Sequence, residues 1–164
     1  MNLPKIQNNT NIFIIDDEEL IALTLKMYLE KGGYENLHVF TDSVEAMEML
    51  TYVKADLILT DVDMPDLNGK FLARLARKTD HLKNTPIIVV TADDSDATRK
   101  NLVGNGVDAI LHKPIDCDLL NETVGKTLRA CLVNEKAKSA GSSVDARKRN
   151  VIKKEKKLRR AFNR

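Results

Sequence analysis

An open five-stranded parallel α/β sheet, doubly wound with helices on both faces, is the fold class this sequence predicts. Five short apolar runs alternate with five helical segments, the pattern of repeated strand–helix units. The runs are continuously apolar, as in Asn11-Ile12-Phe13-Ile14-Ile15 and Pro86-Ile87-Ile88-Val89-Val90, which suits strands covered on both sides. Four of them end abruptly in polar residues: Asp16-Asp17, Asp61, Thr91 and His112-Lys113-Pro114. In a parallel sheet all carboxyl ends lie on one edge, where ligands bind. Asp16, Asp17, Asp61, Thr91 and Lys113 are therefore expected to meet.

Residues 1 to 10 read as a polar lead-in. Strand one follows at about 11 to 15. From Glu18 to about Lys31, Leu20, Ile21, Leu23, Leu25, Met27, Tyr28 and Leu29 predict a well-buried helix, ended by Gly32-Gly33. Strand two is Leu37 to Phe40, and Asp42-Ser43-Val44-Glu45 reads as a capped start to a helix reaching about Val53. Strand three delivers Asp61. The turn formers from Asp63 to Gly69 precede a helix whose apolar face is Phe71, Leu72 and Leu75. Strand four leads into Asp93, Asp94, Ser95 and Asp96, which can cap a fourth helix to about Gly104. Leu102 and Val103 are its main anchors, so it should be the least firmly held. Strand five lies between Gly106 and Pro114, and the last core helix runs from about Asp116 to Val133 with Leu119, Leu120, Val124 and Leu128 inward.

Three carboxylates gathered at one sheet edge would raise one another's pKa unless something positive sat among them. A hard divalent cation with oxygen ligands meets that need, and Mg2+ that keeps some waters is the natural candidate. The plainer alternative is that Asp16 and Asp17 only cap the first helix.

The ordered set of an acidic pair, Asp61, Thr91 followed by Ala92, and Lys113-Pro114 resembles the receiver domains of two-component response regulators. The spacings agree, with 44 residues from Asp17 to Asp61, 30 from Asp61 to Thr91 and 22 from Thr91 to Lys113. The resemblance covers about residues 11 to 133 and implies a flavodoxin-like sheet of strand order 2-1-3-4-5. It implies that Asp61 is the phosphoacceptor, that Asp17 and Asp61 ligate the metal directly, that Asp16 acts largely through water, and that the backbone carbonyl of Asp63 is the third protein ligand. Lys113 would pair with one phosphoryl oxygen and the Thr91 hydroxyl would donate to another. The Lys113-Pro114 bond is expected to be cis by the same resemblance. The phosphoryl source would be a histidine kinase or a histidine-phosphotransfer protein, in a phosphorelay or two-component system. Such a protein catalyses its own phosphorylation and, with no general base evident beside Asp61, only slow dephosphorylation. The family usually carries Tyr or Phe three residues before the site lysine, where this chain has Ile110. The switch is therefore expected to act through the loop after Thr91 and the fourth helix rather than through a ring at that position.

Two other functions compete. Asp61-Val62-Asp63 after a strand is similar to the nucleophile motif of haloacid-dehalogenase-type phosphatases, but there the motif follows the first strand, and here two strand–helix units precede it. Alternatively the globular part is a scaffold and the basic tail binds nucleic acid, although Phe162 is the tail's only aromatic residue. His38, His81 and His112 have no mutual spacing that suggests a metal site and are assigned to surface or packing roles.

Of 164 residues 43% are hydrophobic but only 4% aromatic, with no tryptophan, so the core must be aliphatic. The net charge of +2 hides a division. Residues 146 to 164 hold ten Lys or Arg against Glu155, a balance of +9, which leaves residues 1 to 145 at −7. The domain reading is a lead-in at 1–10, a receiver at 11–133, a flexible linker at 134–146 and a basic tail at 147–164. Val144, Val151 and Leu158 recur every seven residues, with Phe162 four later, so a tail helix would gather an apolar stripe between positive charges. The readings for the tail are a solvated extension, a segment that folds on a downstream acidic protein, nucleic acid or anionic lipid, or a linker helix that pairs with its copy in a homodimer. Cys117 and Cys131 would lie about 21 Å apart in one helix, too far for a disulfide. The absence of a signal-like start or a membrane-spanning run makes the cytoplasm the expected location.

Overall fold

The computed structural model describes residues 9–138. The chain divides into two compact units, residues 1–128 and 129–164. In the first, the elements run β1 (Ile12–Ile15), α1 (Glu19–Lys31), β2 (Leu37–Phe40), α2 (Ser43–Leu50), β3 (Leu57–Asp61), α3 (Gly69–Lys78), β4 (Ile87–Thr91), α4 (Asp96–Gly104) and β5 (Ala109–His112). A further helix, α5, begins at residue 117. Among the described residues the strands form one sheet of order β2-β1-β3-β4-β5, and every pairing is parallel. The strand order and class match the expectation.

The continuous apolar runs are explained by the two cores they serve. Alternate side chains of each strand point to opposite faces. Phe13, Ile15, Ile58, Ile87 and Val89 meet Ala46 and Leu50 of α2, Leu72, Ala73 and Ala76 of α3, and Leu102 of α4. Ile12, Ile14, Leu57, Leu59, Ile88, Val90 and Leu111 meet Leu25 and Leu29 of α1 and Leu120, Val124 and Leu128 of α5.

Several helical expectations need correction. On α1 the buried residues are Ala22, Leu25 and Leu29, whereas Leu20 is 78% exposed and Leu23 and Met27 are also exposed. A helix laid on a sheet buries one stripe, and seven apolar residues cover more than one stripe. Phe71, Val103 and Leu119 are likewise exposed, and small Ala73 and Ala76 complete the α3 contact instead. α2 ends at Leu50, with Thr51 as its C-cap. Residues 129–138, in the second unit, are helical, so helix continues past the expected end at Val133. Glu135, Lys136, Ala137 and Lys138 are strong helix formers. The lead-in up to residue 8 and the tail, with its proposed stripe of Val144, Val151, Leu158 and Phe162, lie outside the described residues. Among the described residues no helix is long and apolar enough to cross a membrane.

Capping fixes where the helices start. The Asp42 side chain accepts from the N–H groups of Val44 and Glu45 at 2.7 and 3.0 Å, Asn68 accepts from Phe71 N–H at 2.9 Å, and Asp116 accepts from Leu119 N–H at 2.8 Å. The opposite end of the sheet from Asp61 is fastened by Arg77. Its guanidinium donates to the carbonyl of Thr85 at 2.7 Å, to that of Gly106 at 2.6 and 3.0 Å, and to Asp108 at 2.7 Å. Gly106 has φ of +87°, and a Cβ there would lie 2.8 Å from Arg77 Cγ. Both the turn and the clasp thus require glycine. Arg77→Ala leaves the Thr85 and Gly106 carbonyls without this donor and Asp108 with only the Ile87 N–H at 2.7 Å, and is expected to cost roughly 2–4 kcal/mol. Urea unfolding checks this, and a loss under about 0.5 kcal/mol, the size of an ordinary surface change, would refute the clasp.

Candidate functional site

At the carboxyl edge of the sheet, β1, β3, β4 and β5 end beside one another. β1 and β3 are neighbours with Ile15 opposite Thr60, so Asp16 and Asp61 each emerge one residue later from adjacent strands. Asp16 is 0% and Asp61 6% exposed. Burying two carboxylates side by side requires a positive partner, and Lys113 supplies it. Its Nζ lies 3.0 Å from Asp61 Oδ1, 3.2 Å from Asp16 Oδ2 and 3.7 Å from Glu18 Oε1. The backbone N–H of Lys113 donates to the Thr91 carbonyl at 2.9 Å, and the following Lys113-Pro114 bond is cis.

The other carboxylate oxygens are held by backbone donors. Glu18 N–H donates to Asp16 Oδ1 at 3.0 Å, a turn that precedes α1; the N-cap of α1 is Glu18 and it has no side-chain cap hydrogen bond. Asp63 N–H donates to Asp61 Oδ2 at 2.8 Å. Thr91 is buried, and its hydroxyl accepts from Asp93 N–H at 3.0 Å. Asp17 and Asp63 are exposed. Asp17 borders a cleft of about 160 Å³ shared with Asp42, Ser43, Pro65 and Asp66. Thus Asp16, Asp61 and Lys113 are in direct contact, Thr91 is joined to Lys113 through the backbone, and Asp17 and Asp63 stand at the open side.

Burial holds the Asp16 carboxyl above its ordinary pKa, against the opposing pull of Glu18 N–H and Lys113. For Lys113 burial works to lower the pKa, but the hydrogen bond to Asp61 and the charges of Asp16 and Asp61 outweigh it, and the net shift is upward. A carboxyl whose pKa is raised by folding contributes stability that is fully present below its unfolded value of 3.8 and is lost as pH rises through its higher folded value. Asp16→Asn, which removes the buried charge and leaves Lys113 its partner Asp61, is therefore expected to raise stability at neutral pH by about 1 kcal/mol. The gain should vanish in acid. A urea midpoint at neutral pH that falls on substitution would contradict this.

Two residues of the site carried no chemical signal in the sequence. Glu18, the N-cap of α1, approaches Lys113, and Gly69 closes the floor. A Cβ on Gly69 would lie 2.1 Å from the Asp61 carbonyl oxygen, and its N–H donates to Val62 O at 3.0 Å. The α3 N-terminus can therefore reach the end of β3 only through a residue without a side chain. The three histidines are apart from this cluster or beside it. His38 stacks on Phe13 at 4.8 Å, His81 Nε2 meets the Leu50 carbonyl at 2.7 Å, and His112 adjoins Arg99 of α4. Cys117 and Cys131 are free. Ile110 packs half-buried against the core under α3 and α4.

On comparison with known proteins, the family described as "Response regulator receiver domain" matches residues 12–125. The transcriptional regulatory protein CrdR of Helicobacter pylori is 36% identical over 113 residues, which are 69% of this chain and 52% of CrdR. This chain thus spans about half of that relative. The receiver domain of the Francisella response regulator 1452 superposes with a TM-score of 0.69 at 30% identity, covering 74% of this chain and 98% of that one. The receiver domain of the sensor histidine kinase PA1611 from Pseudomonas aeruginosa, whose structure holds a magnesium ion in its active site cleft, shares the fold with a TM-score of 0.67 at 24% identity, over 73% of this chain and 97% of its own.

Proposed function

The chain belongs to the response regulator receiver domain family, a family of phosphoryl-accepting signalling switches, and from that premise we propose that Asp61 is the residue that takes the phosphoryl group. The observation that carries this is the pairing of a nearly buried Asp61 with Lys113 at 3.0 Å, on the strand edge where Thr91 also ends. A carboxylate oxygen of Asp61 attacks the phosphorus of a phosphohistidine or of acetyl phosphate. The new P–O bond makes a mixed anhydride, and the P–N or P–O bond to the imidazole or acetate breaks. Lys113 turns from the carboxylates to a phosphoryl oxygen, and the Thr91 hydroxyl donates to another. The protein is thus a substrate and catalyst of its own modification rather than an enzyme turning over small phosphoesters.

Magnesium fits the residues present. The donors Asp16, Asp17 and Asp61 and the carbonyl of Asp63 are all oxygens, as Mg2+ requires. Among the described residues no group of three or more His, Cys, Asp or Glu is already gathered closely enough to hold an ion. Asp17, Asp61 and the Asp63 carbonyl would hold it directly and Asp16 through water. When bound, it would offset the negative charge that Asp16, Asp17, Asp61 and the incoming phosphoryl group bring together.

The partner is a histidine kinase, or a histidine-phosphotransfer protein in a relay, and the location is the cytoplasm. The exposed apolar side chains of α1, Leu20 and Leu23, favour a protein phosphodonor. Acetyl phosphate with Mg2+ tests the site directly. One phosphoryl group should be found by mass on the peptide holding Asp61, and an unmodified peptide, or steady release of phosphate without label, would favour the phosphatase reading.

The basic residues 147–164 form the output segment in this reading, with a linker between them and the receiver. What supports it is the charge division, +9 against −7. If the partner is duplex nucleic acid and about five side chains meet phosphates, log affinity should fall with log salt at a slope of roughly −4 to −5. A chain ending at Ala140 should lose that binding. Equal association by the shortened chain would sink the proposal.

A further inference from the structure

Beyond the four motif positions, β5 carries one more polar residue at the functional edge. Thr91 of β4 is the register partner of His112 on β5, two steps after Val89 opposite Ile110. Paired residues of adjacent strands share a face, and so do residues two apart on one strand. Val89 and Ile110 both contribute to the core under α3 and α4, so Thr91 and His112 point to that side as well. Ile110 brings no polar atom there. His112 does.

Its ring touches α4. His112 Nε2 lies 3.5 Å from Nη2 of Arg99. A guanidinium only donates, so in the neutral ring Nε2 is the acceptor and Nδ1 carries the proton. That Nδ1–H is buried and has no hydrogen-bond partner among the described residues, an arrangement that costs free energy.

The same stretch of α4 is tied to Thr91. The Thr91 hydroxyl accepts from Asp93 N–H. Asp93 in turn accepts from Thr98 Oγ1 at 2.5 Å and from Ser95 N–H at 2.9 Å, and Ser95, the α4 N-cap, takes Arg99 N–H on its carbonyl at 3.0 Å. Asp93 is held below the ordinary carboxylate pKa by its hydrogen bonds from Thr98 first and Ser95 next. α4 itself buries only Leu102, so little else fixes its first turns.

We propose that His112 is a positioning residue that, through its contact with Arg99, sets the placement of α4 according to the state of the Thr91 hydroxyl. The proposal rests on the phosphorylation reading above. When the Thr91 hydroxyl turns to a phosphoryl oxygen, Asp93 N–H loses its acceptor, and the loop with the first turn of α4 is released. The His112 ring then exchanges its Arg99 contact for one that satisfies Nδ1–H. Without His112 the first of these events still occurs, but α4 has no preferred second placement.

The test is amide exchange in the full chain with and without acetyl phosphate and Mg2+, with phosphoryl incorporation measured on the same samples. In the unaltered chain, exchange across residues 93 to 104 should change several-fold on phosphorylation. His112→Ala and, from the exposed side of the contact, Arg99→Ala should each remove at least half of that change while incorporation stays within about twofold. His112→Gln, which keeps a donor and an acceptor without the ring, should restore most of it, a recovery that a packing role alone would not give. A change that survives either alanine substitution undiminished, or a failure of Gln to restore it, overturns the role of His112 and leaves the phosphorylation reading intact. An unaltered chain that takes up no phosphoryl group removes that reading and this inference with it.

Discussion

Asp61→Asn is expected to abolish phosphoryl uptake from acetyl phosphate, by on the order of 10³-fold or more, because an amide oxygen is a poor nucleophile at phosphorus. The fold should survive the change. The Asn side-chain oxygen can still accept the Asp63 N–H that now lies 2.8 Å from Asp61 Oδ2, and Lys113 retains Asp16 at 3.2 Å. Stability should therefore move by about 1 kcal/mol at most, so that lost uptake with an unchanged urea midpoint assigns the effect to chemistry. Label of undiminished intensity in the Asn variant would place the acceptor elsewhere. The exposed Asp17 and Asp63 would then be the next carboxylates to replace.

Lys113→Met should be the most damaging change for folding and reaction together. Methionine has a similar length but leaves Asp16 and Asp61 buried with no cation between them, a loss of roughly 2–4 kcal/mol for removing one member of a buried ionic group. Uptake should fall by about 10²-fold or more, since the charge proposed to meet the phosphoryl oxygen is gone. Added Mg2+ should recover part of the stability, as any ligand of the native state does. The pH dependence has a definite sign. Folding raises the Lys113 pKa above its ordinary 10.5, so its stabilisation is fully present below that value and is lost as pH rises through the folded value. The unaltered chain should lose stability in that alkaline range, and the Met variant should lack this descent. Parallel alkaline profiles for the two would show that Lys113 does not couple to the carboxylates.

The sequence by itself determined the fold class, because continuous apolar strands bounded by turn formers allow only a sheet covered on both faces. Leu37–Phe40 and Ala109–His112 could be read at their ends, where Gly, Asp and Pro punctuate the chain. It also determined which residues would share an edge, since parallel strands place all their carboxyl ends together. Helix burial was less legible: Leu20, Phe71, Val103 and Leu119 are as apolar as their buried neighbours, and only the angle at which each helix lies on the sheet decides which stripe is covered. The extension of helical residues to 138 was missed because a charged run such as Asn134–Lys138 has helix propensity but no apolar period to announce it. Only the tertiary structure decided that Lys113 sits between Asp16 and Asp61, that Glu18 approaches it, and that Gly69 must lack a side chain where α3 meets the Asp61 carbonyl. The same holds for the contact of His112 with Arg99, since a register between strands and a helix crossing over them are long-range geometry. Spacing along the chain can name the residues of such an edge, but the distances and burial that give them their chemistry arise when separate segments are packed together.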